Sequence, residues 1–590
     1  MKTRNEMDKA YTWDLTHIYK TEDDFFNAVA LAESKLPEFV AFEGKIGESF
    51  ESFKGALDKY FEIFEIIELA GSYAYMYFSQ DGANEMAQNI RGAFQNLIVK
   101  AMMASAFLTP ELGAIPAEVI TSYMENDSVK VYSQFINDIE RGKAHTLSSD
   151  KEKLLAGLAD VSGSPSDIYT AFCDIDMTFP SIKDSKGEEH ELTHGNFSMY
   201  RESTDRVLRE NAFNAFFGEY LKYINTLSAM YSANVKFDAY FSSVKNYGSA
   251  IESGLFGANV PVSVYESLCS AVRESLPSMK KYIDLRARAM KKDKIDMFDL
   301  YTPMVDDIEY PMPYESAKEL VKKALAPLGE RYGELLDEAY NGGWIDVYEN
   351  KGKSTGAYSI GAYGVHPYVL LNYTDTLDDA FTLAHELGHA MHTYFSDSAQ
   401  PFASHDYTLT VAEVASTVNE VLLTLYLLKT ETDKKRRAYI LNHFLEGFRT
   451  TVYRQTLFAE FEKAAHEMCE RGEPLTPASL CGLYYNLIST YYEGAEINDI
   501  MKVEWAFIPH FYRSYYVYQY ATGFSSAVTI ARGIIETGDA SKYLEFLKTG
   551  GSDYPLEELK IAGIDLTKPD TVANALELFD KTIDELAELI

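Results

Sequence analysis

Little in this chain is suited to cross-linking, export or a bilayer. Only four cysteines occur in 590 residues, Cys173, Cys269, Cys469 and Cys481, and none forms a Cys-x-x-Cys pair. That excludes a disulfide scaffold and fits a reducing compartment. The opening residues, Met1 to Asp8, contain no apolar h-region, so no signal peptide is expected. No run of about 18 apolar residues is visible, so no membrane span or membrane partner is expected. A cytoplasmic protein follows. Basic side chains are also short in number, 54 against 89 acidic, for a net charge of −35. Phosphate backbones demand the opposite sign, which argues against a nucleic-acid partner. An acidic surface serves solubility and could attract cationic peptides. Tryptophan is rare, at 3, beside 43 Tyr and 34 Phe. No fixed-period repeat emerges.

What remains is a globular composition, 46% hydrophobic and 24% charged. The length exceeds one simple core, so several subdomains are expected: 1–115 helical, 116–200 helical with a β-hairpin, and 201–590 holding the chemistry. Helical periodicity dominates 1–165, beginning at the capping signal Thr21-Glu22-Asp23-Asp24. Residues Met177–Thr193 read as a β-hairpin across Lys183–Gly187. His190 and His194 lie there, four apart on extended or turn backbone, and are read as surface histidines. Helices return at Thr204–Leu227, Ser263–Ala289 and Tyr314–Tyr340. A Gly/Tyr-rich loop, with Gly356, Tyr358, Gly361 and Tyr363, precedes the strand-like His366–Tyr373, where Pro367 favours an edge position. An edge strand could hold an extended peptide through its main chain. An ordinary small sheet explains the same residues.

The chain is organised around Thr382–His392, which contains His385-Glu386-Leu387-Gly388-His389. On a helix the two histidines sit one turn apart on one face, able to bind one Zn²⁺ from one side. Glu386 sits at the metal's flank, where it can take a proton from a zinc-bound water of pKa about 7. Small and apolar flanks predict a buried helix, and a buried Glu needs a partner. Downstream, Leu409–Leu428 is a strongly apolar helix with one narrow polar stripe of Glu413, Ser416, Thr417, Glu420 and Thr424. Solvated glutamates would explain the stripe. So would a third zinc ligand at Glu413 and a carboxylate at Glu420 that orients a ligand histidine. Two His and one Glu leave a coordination position for water.

From His510 to Gly523 the chain packs five tyrosines beside one histidine. On a continuous helix Tyr512, Tyr516 and Tyr520 share a face. Hydroxyls or an imidazole N–H there could stabilise an oxyanion; aromatic core packing is the plainer reading.

Together, Thr382–His392, Glu413-Val-Ala-Ser416 with Glu420, and His510–Gly523 resemble oligoendopeptidase F, a zinc peptidase related to thimet oligopeptidase. Trp13-Asp14-Leu15 and the Gly356–Tyr363 block are similar to that family as well. The resemblance implies a mainly α molecule: a two-halved helical bowl with a deep central channel and a small antiparallel β-sheet beside the zinc helix. It implies one Zn²⁺ per chain on His385, His389 and Glu413, with Glu386 as general base. His510 with Tyr516 and Tyr520 would bind the oxyanion, and Gly356, Tyr358, Gly361, Tyr363 and Tyr512 would contact substrate. The expected function is a zinc endopeptidase of short oligopeptides, monomeric or homodimeric. A zinc exopeptidase of carboxypeptidase type and a non-catalytic helical peptide-binding protein are the alternatives. The Gly-x-Met-Glu-Asn signature of zinc aminopeptidases is absent.

Overall fold

Helices open where a short polar side chain can take an orphan backbone N–H. Thr21 and Asp24 form a reciprocal capping box at the start of α1 (Glu22–Val40). Ser49 caps α2 (Phe50–Gln80), and Asn84 caps α3 (Glu85–Ser105). These three helices pack together and bury Phe25, Phe39, Phe53, Ile63, Ile90 and Leu97. The structure is a computed structural model that describes residues 1–305 and 310–590.

The chain divides into two compact units, each gathering non-consecutive segments. The first holds Met1–Ala144, Tyr310–Tyr426 and Ile530–Ile564. The second holds His145–Glu309, Leu427–Thr529 and Asp565–Ile590. This grouping by packing cuts across the three sequence segments. The fold is mainly α, with sheets of only two and three strands among the described residues.

In the second unit, β1 (Ile182–Lys183) and β2 (Glu189–His190) form the expected hairpin. The two histidines there are not bare surface groups. His190 Nε2 lies 3.2 Å from Asp184, and its ring stands with Asp184 and Glu188. His194 meets the Tyr220 hydroxyl at 2.8 Å and packs on Phe179 and Phe216. The predicted helix Thr204–Leu227 breaks at Tyr223 into Arg206–Lys222 and Ile224–Val244.

In the first unit, β5 (Tyr368–Leu370) is the middle strand between β3 (Ile345–Asp346) and β4 (Tyr358–Ile360). The sheet is mixed: β4 runs antiparallel to β5, and β3 runs parallel to it. The strand expected at an edge therefore sits at the centre. Pro367 precedes the first ladder residue, where its missing N–H costs nothing. The outer strands are β3 and β4, and β4 is the one that packs against the motif-bearing helix. Val369 and Leu371 donate their N–H groups to Trp344 and Asp346, on the β3 side. By the alternation of a strand, Tyr368 and Leu370 face β4, so Ser359, opposite Val369, turns its own N–H and C=O outward.

Two stretches, Glu85–Ala114 and Leu409–Thr430, are long and apolar enough to cross a bilayer by composition. Scattered polar residues interrupt their runs without lowering the mean hydropathy much, which is why a search for unbroken runs passes over them. The second is 72% buried inside the protein, as a core helix is.

Candidate active site

The motif helix, Leu377–Ala399, starts on a capping box: Asp379 N–H donates to Thr376 Oγ1 at 3.2 Å, and Thr376 N–H donates to the Asp379 carboxylate at 2.9 Å. It buries Phe381, Leu383, Ala384, Leu387, Ala390 and Met391, so the motif is held from behind by apolar contacts. The next helix, Leu409–Thr430, crosses it at Gly388. A Cβ built on Gly388 would lie 2.5 Å from Ser416 Cα and 2.7 Å from the Ala415 carbonyl oxygen. Only a residue without a side chain permits that approach. Asn419, fully buried, locks the crossing: it donates to the Ala384 carbonyl at 2.9 Å and accepts from the Tyr332 hydroxyl at 3.0 Å.

This contact turns the polar stripe of the second helix onto the motif instead of into solvent. Glu413 Oε2 stands 3.6 Å from His385 Nε2 and 3.9 Å from His389 Nε2. The two imidazole nitrogens are 3.2 Å apart. Ligand atoms at about 2.1 Å from a tetrahedral ion are about 3.4 Å from one another, and these three separations bracket that figure. Two nitrogens and a carboxylate oxygen aimed at one point form a donor set that fits a divalent cation of the zinc type. Glu420 bonds His385 Nδ1, which presents the opposite ring nitrogen to the triad. Ser416 Oγ donates to Glu413 Oε2 at 3.3 Å.

Charge in the site is set by burial and by crowded carboxylates. Burial lowers the pKa of His385, but its bond to Glu420 and the charges of Glu420, Glu386 and Glu413 outweigh this and raise it to about 9. Burial and the His385 charge bring His389 down to about 3. Glu386 is 7% exposed. Burial pushes its carboxyl up to about 7; His385 opposes this, and Glu413 and Glu420 add to it. His392, the third histidine of the block, is fully buried and stacks on Tyr407 at 3.6 Å.

Beside the motif helix, a Cβ on Gly361 would come within 2.8 Å of Thr393 Cγ2, one turn beyond His389. Gly361 thus lets the end of the β4 edge lie against that helix. Ser72 of α2 donates to its carbonyl at 2.8 Å. The Gly356 carbonyl is held by Asn372 at 2.8 Å. Tyr358 packs on Tyr75 and Trp13. Tyr363 donates its hydroxyl to the Gln400 carbonyl at 3.0 Å, and its ring packs at a tilt against His405 at 4.7 Å. His405 in turn bridges Asp397 and Glu68, and Glu68 also accepts the Tyr363 N–H at 3.3 Å.

The aromatic stretch lies in the second unit. The continuous helix expected over Tyr512–Tyr520 is not there. Pro509–Tyr512 forms a 3₁₀ turn, Tyr515 takes a left-handed φ of 57°, and the α-helix begins only at Tyr518. The break is imposed from outside: buried Glu462 accepts the Tyr515 N–H at 2.7 Å, and Asp238 receives the Ser514 hydroxyl. It still gathers His510, Tyr516 and Tyr520. The His510 and Tyr516 rings are parallel at 5.9 Å, Tyr520 stands edge-on to His510 at 6.1 Å, and the two tyrosine hydroxyls are 3.1 Å apart. Tyr512 turns instead onto Tyr169 at 4.6 Å and Tyr231 at 6.2 Å.

Residues 199–578 match the family model of peptidase family M3, and residues 111–179 match that of oligopeptidase F. Over its whole length the chain is 41% identical to oligopeptidase PepF of Bacillus subtilis, covering 88% of that protein. It is 38% identical to an oligoendopeptidase F homolog of Lactococcus lactis, covering all of this chain and 99% of that one. Among solved structures, a peptidase from Chlamydophila abortus superposes with a TM-score of 0.94 at 32% identity, covering 100% of both chains. Oligoendopeptidase-F from Enterococcus faecium gives a TM-score of 0.74 at 34% identity, covering 96% of this chain and 99% of that one.

Proposed function

This chain belongs to peptidase family M3 and is a metalloendopeptidase of oligopeptides, and we propose that His385, His389 and Glu413 hold one zinc ion for that reaction. The observation that carries the reading is the convergence of three ligand atoms, all within 4.8 Å of one another, beside a buried Glu386. Zinc bound there supplies a Lewis acid for the scissile carbonyl and lowers the pKa of a water to about 7. Glu386 takes the proton of the attacking water on its carboxylate and returns it to the leaving amine. Glu420 fixes the tautomer and orientation of His385. His510 and the paired hydroxyls of Tyr516 and Tyr520 donate to the oxyanion. The outward main chain at Ser359, framed by Gly356, Tyr358, Gly361 and Tyr363, pairs with the extended peptide. Four free thiols support a reducing compartment, and we place the protein in the cytoplasm.

Chelator-stripped protein should lose cleavage and regain it with one equivalent of zinc per chain. The affinity should depend on pH in a stated direction. His385 keeps a proton up to about pH 9 in the metal-free protein, so zinc must displace that proton. Below this value apparent affinity should rise about tenfold per pH unit, then level off above it. Titration calorimetry in buffers of differing ionisation enthalpy reads the proton release directly. An affinity flat from neutral pH to pH 9 would contradict the ligand assignment.

The oxyanion reading predicts that Tyr516→Phe and Tyr520→Phe each lower kcat by about 10- to 100-fold with KM little changed. His510→Ala should do the same. Tyr512→Phe should leave kcat near the parent value, since its ring packs elsewhere. Steady-state rates on a quenched peptide rank the four; a Tyr512 effect as large as the others refutes the grouping. Mass spectrometry of the products separates internal cuts from release of single terminal residues.

A further inference from the structure

We propose that Glu462 and Asp238, braced by His466, are positioning residues for the oxyanion group, acting through the turn at Ser514-Tyr515 that presents Tyr516 beside His510. The inference rests on the reading of His510, Tyr516 and Tyr520 as oxyanion donors. All of these residues lie in the second unit. Tyr515 takes a φ of 57°, a conformation that a bulky side chain disfavours and glycine adopts freely. Its ring is nonetheless fixed by three contacts. It is buried, 4.9 Å from the His466 ring and 5.9 Å from the Tyr265 ring. It also meets Gly254 so closely that a Cβ there would lie 2.6 Å from Tyr515 Cδ2 and 3.1 Å from its Cβ. With the ring anchored in the core, the main chain of the turn decides where the next side chain goes. That side chain is Tyr516, half-buried, parallel to His510 and 3.1 Å from the Tyr520 hydroxyl.

The turn itself is held by polar groups that apolar packing does not call for. Glu462 and His466 are fully buried, one turn apart on the helix Arg454–Glu470. Glu462 accepts the Tyr515 N–H at 2.7 Å, and its second oxygen has no hydrogen-bond partner among the described residues. Asp238, on the helix Ile224–Val244, accepts the Ser514 hydroxyl. His466 ties the two acids together. Its Nδ1 meets the Glu462 carbonyl at 2.9 Å, and its Nε2 lies 3.2 Å from Asp238 Oδ2, the same oxygen that takes Ser514. Burying an acid and a histidine is unfavourable, and here their bonds serve two consecutive residues just ahead of Tyr516. A disfavoured backbone kept in place by buried polar groups presets the side chain that follows it. Oxyanion donors work by being aimed in advance. Burial pushes the Glu462 carboxyl up to about 8, so the neutral acid predominates at pH 7 and an amide can stand in for it.

Rates on a quenched peptide, zinc content and a double-mutant cycle test this with the zinc-loaded full chain. Glu462→Leu cannot accept the Tyr515 N–H. It should lower kcat by about 10- to 100-fold, with KM little changed and one zinc retained per chain. Asp238→Ala should move kcat in the same direction by less. Glu462→Gln keeps an acceptor of the same shape and should stay within about threefold of the parent. In a Tyr516→Phe background, Glu462→Leu should cost at most about threefold more, since the hydroxyl it aims is gone. A purely structural role would give the same fold loss in both backgrounds, and that additive result overturns the inference. So does a Glu462→Gln protein as slow as Glu462→Leu. A crystal structure of Glu462→Leu should show Tyr515 outside the left-handed region; a retained φ near 57° overturns the inference as well. A Tyr516→Phe protein at full rate refutes the oxyanion reading and takes the inference with it. A slow Tyr516→Phe protein with an additive cycle refutes the inference alone. If Glu462→Leu fails to fold, Gly254→Ala enters the same cycle, because its methyl displaces the Tyr515 ring from the helix Ala250–Phe256.

Discussion

Glu386→Gln should retain stoichiometric zinc, bind peptide with little change in KM and lose about 10³-fold in kcat. The amide matches the carboxylate in size and removes no metal ligand. What it removes is the proposed proton acceptor, a carboxyl whose pKa burial holds near neutrality in the metal-free protein. General acid–base catalysis contributes about 10²–10⁴-fold, and the proposed mechanism rests both proton transfers on one side chain. A second readout distinguishes this role from a structural one. A carboxyl whose folded pKa is raised from 4.5 to about 7 is harder to ionise folded than unfolded. It therefore costs stability as pH rises above 4.5, reaching its full cost above about pH 7. The size is roughly 3 kcal/mol as an upper order of magnitude. The metal-free Gln variant should thus melt higher than the metal-free parent at pH 8 while being far less active when loaded. Wild-type turnover in the loaded variant would end the proposed role, and a lower melting temperature would show that Glu386 supports the fold.

The three residues proposed as metal ligands were legible as candidates because each rests on local spacing. His385 and His389 need only one helical turn, and Glu413 is betrayed by a polar stripe on an otherwise apolar helix. What brings the two helices together was not legible. Gly388 reads as a small residue on a buried face, and Asn419 as one more polar side chain. Their roles arise only when a second backbone is present to touch Gly388 and to accept from Asn419 at Ala384. The same limit explains the tyrosines. Nothing in Ser514-Tyr515-Tyr516 marks a turn, since a bulky residue seldom takes a positive φ. Glu462, more than fifty residues earlier, holds Tyr515 there. The grouping of His510 with Tyr516 and Tyr520 was reached from helical spacing that the chain does not use. The central place of β5 was hidden because Pro367 looks the same before a middle strand as on an edge one.

Gly388→Ala therefore carries the other large expected effect, through geometry alone. The added methyl would sit 2.5 Å from Ser416 Cα and 2.7 Å from the Ala415 carbonyl, both backbone atoms that no rotamer change can move. The helices Leu377–Ala399 and Leu409–Thr430 must separate, and the overpacking should cost at least about 1–3 kcal/mol. The consequence at the site exceeds that figure. Glu413 and Glu420 ride on the displaced helix, while His385 and His389 stay on the other. A shift of about 1 Å takes the carboxylate outside bonding distance of an ion held by two imidazoles, and it breaks the bond that orients His385. The variant should fold with a lowered melting temperature, fail to retain one zinc per chain through gel filtration, and show cleavage reduced at least as far as Glu386→Gln. Asn419→Ala should move in the same direction by less, since it loosens the crossing without wedging it open. The order of effects is the test. A Gly388→Ala protein with full zinc and full turnover would mean that the two helices do not meet at this residue, and that Glu413 reaches the triad by some other path.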